Sequence, residues 1–313
     1  MTRVLVSDRT HDVLVDRLKA AGIEVSVEPD HDYASLVRAA QDYDGLVVRS
    51  KVNIDRAFID SCPRLRCIGR VGAGMETIDV AYAEAHGVRC LNSPEGNRDA
   101  VGEHAVGLLL ALLNNIARAD SEVRQGLWRR EANRGLELGA LTVGIIGFGN
   151  MGQAFARRLS GFGCHRVVYD KYKDLSEFRD VDNLRVVGTL RELQQEADVV
   201  SFHVPLTAET EHYLDSAFID AMAKPFFLLN TARGAVVDTK ALAVGLRSGK
   251  VRGAGLDVLE QENMQADGLG DDSPVAMLKD FPTVFTPHVA GWTVESKYKL
   301  AAVLADKMIR VLQ

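Results

Sequence analysis

Cysteine is scarce in this chain and has no pattern. Cys62, Cys67, Cys90 and Cys164 are the four thiols. They form no CxxC pair and no Cys/His set with zinc spacing, which argues against a disulfide framework or a structural metal and for idle thiols in a reducing compartment. Positive charge is not in excess either: the net charge is −6. A general polyanion binder needs a basic face to displace counterions, so nucleic acid is not an expected partner. No apolar run reaches the roughly 18 residues of a membrane span. The opening MTRVLVSD reads as a strand, without the apolar core and cleavage site of a signal peptide. No low-complexity tract or short-period repeat is present. The expectation is a cytoplasmic protein with no membrane partner.

What is present is an ordinary globular composition, 47% hydrophobic and 26% charged, over 313 residues. That length suits two domains. Short apolar, β-branched runs alternate with helix-like stretches, the rhythm of parallel α/β structure. The first strand series reads Val4–Val6, Glu24–Val27, Leu46–Val48, Arg66–Ile68 and Val88–Leu91, with helices at His11–Ala21 and Tyr33–Ala40. One long helix is expected from Asp99 to Arg124. A second series follows: Thr142–Gly147, Arg166–Tyr169, Asp198–His203, Phe226–Leu229, Arg252–Leu256 and Val284–Thr286. A last amphipathic helix, Thr293–Leu312, is expected to return to the first domain. The fold class is α/β with two doubly wound parallel sheets. The boundaries are placed at 1–93 plus 288–313 for one domain and 94–287 for the other.

The strongest local motif is Gly147-Phe148-Gly149-Asn150-Met151-Gly152 after the strand Thr142–Ile146 and at the start of a helix. Gly147 permits a tight turn, Gly149 lets backbone approach a pyrophosphate, and Gly152 lets helix and strand pack closely. Free N–H groups and the helix dipole then hold the diphosphate. The next strand ends in Asp170, placed to accept the ribose hydroxyls of NAD and to repel a 2′-phosphate. Lys171 follows and weakens that preference.

Three later strands each deliver a charged side chain past their ends: Arg233, Glu262 and His288. Hydride removal from a 2-hydroxy acid also releases a hydroxyl proton, which suits a histidine base. A carboxylate beside it fixes the tautomer. An arginine grips a carboxylate with fork geometry. Spacing alone leaves other readings open: Arg233 as a surface residue, Glu260 in place of Glu262, or His288 as a satisfied turn histidine.

At these residues the sequence resembles the D-isomer-specific 2-hydroxyacid dehydrogenases, and within them the phosphoglycerate dehydrogenases. The segments that carry the resemblance are Arg70–Gly74, Asn92–Asn97, Gly102–Ala105, the glycine loop, Ser201–Thr207, Asn230–Gly234 and Pro287-His288. The resemblance implies a flavodoxin-like substrate-binding domain, a Rossmann NAD domain, and Arg233, Glu262 and His288 as catalytic residues. It implies that His203, Val204 and Pro205 lie along the adenosine side of NAD. Thr231, Ala232 and Asp257 would lie near the nicotinamide, as would the backbone from His288 to Gly291. The substrate would meet Arg49, Ser50 and the N–H groups of Val71, Gly72, Ala73 and Gly74, with Arg130 a further phosphate contact. A homodimer through the long helix and a small 2-hydroxy or 2-keto acid substrate follow, 3-phosphoglycerate foremost. Departures pull toward a glyoxylate or hydroxypyruvate reductase: Gly74-Met75-Glu76-Thr77 replaces the usual GxDN, and Trp292 occupies a position where a small residue is usual. No regulatory extension is expected after the last helix. A non-enzymatic, NAD-sensing binding protein of corepressor type is the reading from another class.

Overall fold

The computed structural model describes residues 1–178, 181–262 and 273–313. The chain divides into two compact units, Met1–Asp99 with Trp292–Gln313, and Ala100–Gly291.

The smaller unit alternates strand and helix: β1 Arg3–Val6, α1 Val13–Ala20, β2 Glu24–Val27, α2 Tyr33–Ala40, β3 Gly45–Val48, α3 Arg56–Ser61, β4 Cys67–Arg70, α4 Val80–Ala85 and β5 Arg89–Leu91. Aspartates start three of the helices: Asp32, Asp55 and Asp79 each accept a first-turn N–H, satisfying a donor the helix itself cannot pair. The strands form one parallel sheet in the order β2-β1-β3-β4-β5, the flavodoxin-like arrangement, with its switch point between β1 and β3. The central strand β3 is buried along its whole length, as expected of a sheet covered on both faces. One cover is the last helix of the chain, Val294–Leu312, which buries Leu300, Leu304 and Met308 beside Val4, Val6 and Val47.

The larger unit opens with α5 Arg98–Leu113 and α6 Ile116–Arg124 and continues β6 Thr142–Ile146, α7 Asn150–Leu159, β7 His165–Tyr169, β8 Leu184–Val186, α8 Leu190–Glu196, β9 Val199–Phe202, α9 Ser216–Ala221, β10 Phe226–Asn230, α10 Thr239–Ser248, β11 Val251–Leu256, α11 Pro274–Leu278 and β12 Thr283–Phe285; the terminal helix is α12. Its parallel sheet runs β12-β11-β10-β9-β6-β7-β8, which contains the Rossmann order about β6. Alternate residues feed two cores: Val143, Ile145 and Val199 enter one, Ile146, Val200 and Phe202 the other. That period of two is how a strand serves both faces of a sheet.

Three details differ from the sequence expectation. The helix expected over Asp99–Arg124 is two helices bent by 60°, because Asn115 takes a left-handed conformation at φ 54°. Asparagine tolerates that region better than most residues. Strand β8 was not expected at all. The unit boundaries fall after Asp99 and Gly291, beyond residues 93 and 287. Lys307 Nζ on α12 donates to Asn92 O and to both Glu95 carboxylate oxygens at 2.9 Å, which keeps that segment in the smaller unit. The backbone of 288–290 is bonded to Asp257, which keeps it in the larger one. Among the described residues no single helix is long and apolar enough to cross a membrane, and the bent pair passes only by length and composition. Its first half, α5, is a core helix, with Ala105 and Leu109 fully buried.

Candidate active site of the dinucleotide unit

The turn after β6 is built from close approaches. Gly147 sits at φ 87°, and a Cβ there would lie 2.6 Å from His203 O; a Cβ on Gly152 would lie 2.1 Å from Gly147 O. Gly149 differs: it faces open space. It caps α7 without any side-chain bond, and Asn150 and Met151 open the helix. First-turn N–H groups are therefore available to an anion. Asp170, at the tip of β7, accepts from Phe148 N at 2.7 Å through one carboxylate oxygen and from Tyr172 N and Lys173 N at 3.0 Å through the other.

His203, just past β9, bonds Ser201 Oγ through Nε2 at 2.9 Å. Burial pushes its imidazole down to about 3, so the ring is neutral. Its Nδ1 and the Thr231 hydroxyl are buried without a hydrogen-bond partner among the described residues. Buried polar atoms are rarely left so, and an orphaned pair beside the glycine turn and β10 fits a polar ligand such as a dinucleotide. Val204 and Pro205 continue the same loop, and Ala232 is buried beside Thr231.

The turn that carries Arg233 is fixed by Asn230. This fully buried side chain accepts from Ala232 N at 3.1 Å and donates to Arg233 O at 2.9 Å. Gly234 follows, where a Cβ would lie 1.8 Å from Leu259 O. No side chain fits there, so the Arg233 turn lies directly on the backbone of residues 259–260. Two glutamates leave the 259–262 segment for different partners. Glu260 accepts from Thr239 N at 3.0 Å and meets His212 Nε2 at 2.8 Å. Glu262 meets His288 Nδ1 at 2.8 Å.

His288 itself is a left-handed residue, φ 54°. Its conformation is held by Asp257: the carbonyl accepts from His288 N at 2.7 Å, and the carboxylate accepts from Val289 N and Ala290 N at 2.9 Å and from Thr286 Oγ1 at 2.6 Å. His104 on α5 approaches the same carboxylate and bonds Thr286 Oγ1 at 2.9 Å. The Glu262 hydrogen bond raises the His288 pKa above the ordinary 6.5, against desolvation and against the positive charge of Arg233. Arg233 donates to Ala232 O at 2.7 Å. Gly291 closes the segment. Arg130 is exposed in the loop after α6 and is not brought into this cluster by any ion pair or side-chain hydrogen bond among the described residues.

The substrate residues expected from sequence sit in the smaller unit. Asn92 Nδ2 donates to Ala73 O at 2.7 Å and Ser93 N to Gly72 O at 2.9 Å, which pins the turn from Val71 to Gly74 after β4. Ser50 is exposed. The Arg49 guanidinium lies 4.6 Å from the Trp292 ring centroid, in cation–π range. Both line a cavity with Arg9, Thr10, Val71 and Lys297. It lies at the carboxyl ends of β1, β3 and β4, across the switch point. The Thr10 hydroxyl is buried without a partner among the described residues.

Sequence reasoning named neither Asn230 nor His104 as a functional residue, and spacing alone left Glu260 and Glu262 unresolved. Asn230 and His104 lay inside recognised motifs, but their work is done through hydrogen bonds that no spacing displays.

These features define a dinucleotide-binding unit with an acid–base pair at its strand ends. The family model for the D-isomer specific 2-hydroxyacid dehydrogenase NAD binding domain matches residues 106–290, and the chain belongs to that family. A nicotinamide dinucleotide, NAD(P), is its cofactor. The chain is 34% identical over 315 residues to D-3-phosphoglycerate dehydrogenase of Methanocaldococcus jannaschii, covering all of this chain and 58% of that protein. It is 36% identical over 294 residues to hydroxypyruvate reductase of Thermotoga maritima, covering 92% of each. The solved structure of the TT0316 protein from Thermus thermophilus superposes with a TM-score of 0.82 at 32% identity, over 99% of this chain and 97% of that one. The chain spans little more than half the length of the phosphoglycerate dehydrogenases it matches, 56 to 58%.

Proposed function

We propose that this protein is an NAD-dependent dehydrogenase acting between D-2-hydroxy acids and 2-keto acids, with 3-phosphoglycerate and 3-phosphohydroxypyruvate as its substrate pair. The observation that carries the reading is the 2.8 Å contact of His288 Nδ1 with Glu262 on a loop whose backbone Asp257 fixes. Bound NAD supplies the hydride acceptor at its nicotinamide. His288 has Nε2 left for the substrate: neutral, it takes the hydroxyl proton as the 2-position is oxidised, and as imidazolium it returns it in reduction. Glu262 sets the tautomer and stabilises the cation. Arg233 holds the substrate carboxylate and the charge developing on the carbonyl oxygen. The residues assigned to the dinucleotide are Gly147–Gly152, Asp170, His203–Pro205, Thr231, Ala232 and the 288–291 backbone. Asp257 is assigned to positioning His288. NAD is favoured over NADP because the Asp170 carboxylate repels a 2′-phosphate.

The phosphate is supported by the cationic cavity of Arg9, Arg49 and Lys297. In this reading the smaller unit binds substrate. Exposed Ile116, Val123 and Trp128, on and just after α6, support a homodimer formed through that element, and a cytoplasmic location goes with the metabolic role. A glyoxylate or hydroxypyruvate reductase is the second reading. It is favoured by Trp292, which walls the cavity and leaves less room, and by the Thermotoga relative, covered over 92% of its length. Steady-state assays of NADH formation or loss with D-3-phosphoglycerate, D-glycerate, hydroxypyruvate and glyoxylate separate the two. The proposal expects kcat/KM to be highest for the phosphorylated pair. A preference of orders of magnitude for the neutral-tailed acids assigns the enzyme to the second reading, and no turnover of any removes both.

A further inference from the structure

The larger unit sets three loops side by side at the carboxyl end of its sheet. Strand β6 lies between β9 and β7, so the glycine turn is flanked by residues 170–175 on one side and 203–213 on the other. Two side chains of the first flank reach the second: Lys171 Nζ pairs with Glu209, and the Tyr172 hydroxyl donates to the same carboxylate. Each partner is presented by a bonded turn. Asp170 gathers the N–H groups of Tyr172 and Lys173 at 3.0 Å. Thr210 Oγ1 donates to Pro205 O at 2.6 Å and accepts from Thr207 N at 2.8 Å. The link therefore spans the glycine turn from loop to loop, beside Asp170.

This arrangement bears on which dinucleotide is accepted. A 2′-phosphate beside Asp170 adds negative charge to a carboxylate already present, and a site that takes it needs a free cation there. Lys171 is the cation next in sequence, and Glu209 engages it. The other near lysine, Lys173, donates Nζ to Phe148 O at 3.3 Å on the glycine turn.

We propose that Glu209 is a specificity-determining residue for the cofactor: by engaging Lys171 and Tyr172 across the glycine turn, it withholds the charge that a 2′-phosphate requires. The inference rests on the reading that NAD is preferred and assigns part of that preference to a residue outside the glycine motif and its strand-end acid. Lys171, which on sequence alone weakens the preference, is then neutral in effect while Glu209 is present.

The test is the dissociation constant of NADH and of NADPH, read by nicotinamide fluorescence on the full chain, for the unaltered protein, Glu209→Gln, Lys171→Ala and the double variant. Glu209→Gln is expected to improve NADPH binding relative to NADH by about tenfold at low ionic strength, the scale of one partly exposed pair with phosphate. The gain shrinks in high salt and is lost in the double variant. Lys171→Ala alone leaves the ratio nearly unchanged. An unaltered ratio in Glu209→Gln, or a gain that survives removal of Lys171, overturns the proposal while leaving the NAD reading intact. Binding of neither dinucleotide overturns both. Both side chains are about half exposed, and thermal unfolding confirms that the variants fold.

Discussion

The two units share an architecture, yet they hold their functional groups differently. In the larger unit the groups proposed for the proton and hydride chemistry are over-determined. The Arg233 turn is held by Asn230 and by the backbone of 259–260; the His288 turn is held by Asp257 through its carbonyl and carboxylate. In the smaller unit the turn from Val71 to Gly74 is pinned, but the cations of its cavity are long side chains. Lys297 has no ion pair among the described residues, and Arg9 reaches Asp30 only at 3.7 Å. On the proposed function, this contrast is a division of labour. Proton and hydride chemistry needs atoms placed within fractions of an ångström, which demands buried hydrogen bonds. Gripping the far end of a substrate needs only charge of the right sign at roughly the right distance.

The comparison can be broken at its strongest point first. Gly234→Ala forces a Cβ into Leu259 O, so the turn must shift. Unfolding stability is expected to fall by on the order of 2–4 kcal/mol, seen as a lower denaturant midpoint, and turnover with it. Gly149→Ala, in open space, is the contrasting glycine: it is expected to keep its stability and to lose affinity for NADH. Equal stability losses in the two variants would show that the Arg233 turn is not specially constrained.

Next in size is His288→Ala. Loss of the proton acceptor is expected to lower kcat by about 10²–10⁴-fold, with the NADH dissociation constant nearly unchanged in a fluorescence titration. Retained turnover removes His288 from its role. The smaller unit is expected to respond more gently. Lys297→Ala is predicted to raise KM for D-3-phosphoglycerate by about tenfold, one partly exposed charge contact, while kcat and the melting temperature hold. A proportional loss with D-glycerate would mean that Lys297 serves the fold or a general field instead of the phosphate.

Much of this was legible in the sequence for a simple reason. The strands of both sheets are short apolar runs bounded by turns, and α12 announces itself by helical periodicity after Thr293, which caps it. The glycine turn was legible because each glycine there has a mechanical cause. What was hidden depended on single torsions or on partners far apart in sequence. The bend at Asn115 is one left-handed residue at the point where the apolar pattern of α5 ends, since α6 buries no side chain. Strand β8 has three residues, too few for a period. Glu260 and Glu262 are told apart by their partners, which spacing does not display: one carboxylate meets His212 and the other His288. Asp257, which the resemblance puts beside the nicotinamide, bonds the backbone of the His288 loop, a role that no spacing displays.

The decisive measurement is the pH profile of Glu262→Gln. In the unaltered protein the Glu262 contact raises the His288 pKa above 6.5. Oxidation, which needs neutral imidazole, therefore rises with pH through that elevated value, and reduction, which needs the imidazolium, falls through it. Removing the carboxylate's charge lowers the pKa, so both limbs are predicted to move to lower pH, with reduction at neutral pH losing most. Profiles that stay in place in both directions, in a folded variant that still binds NADH, would contradict the account.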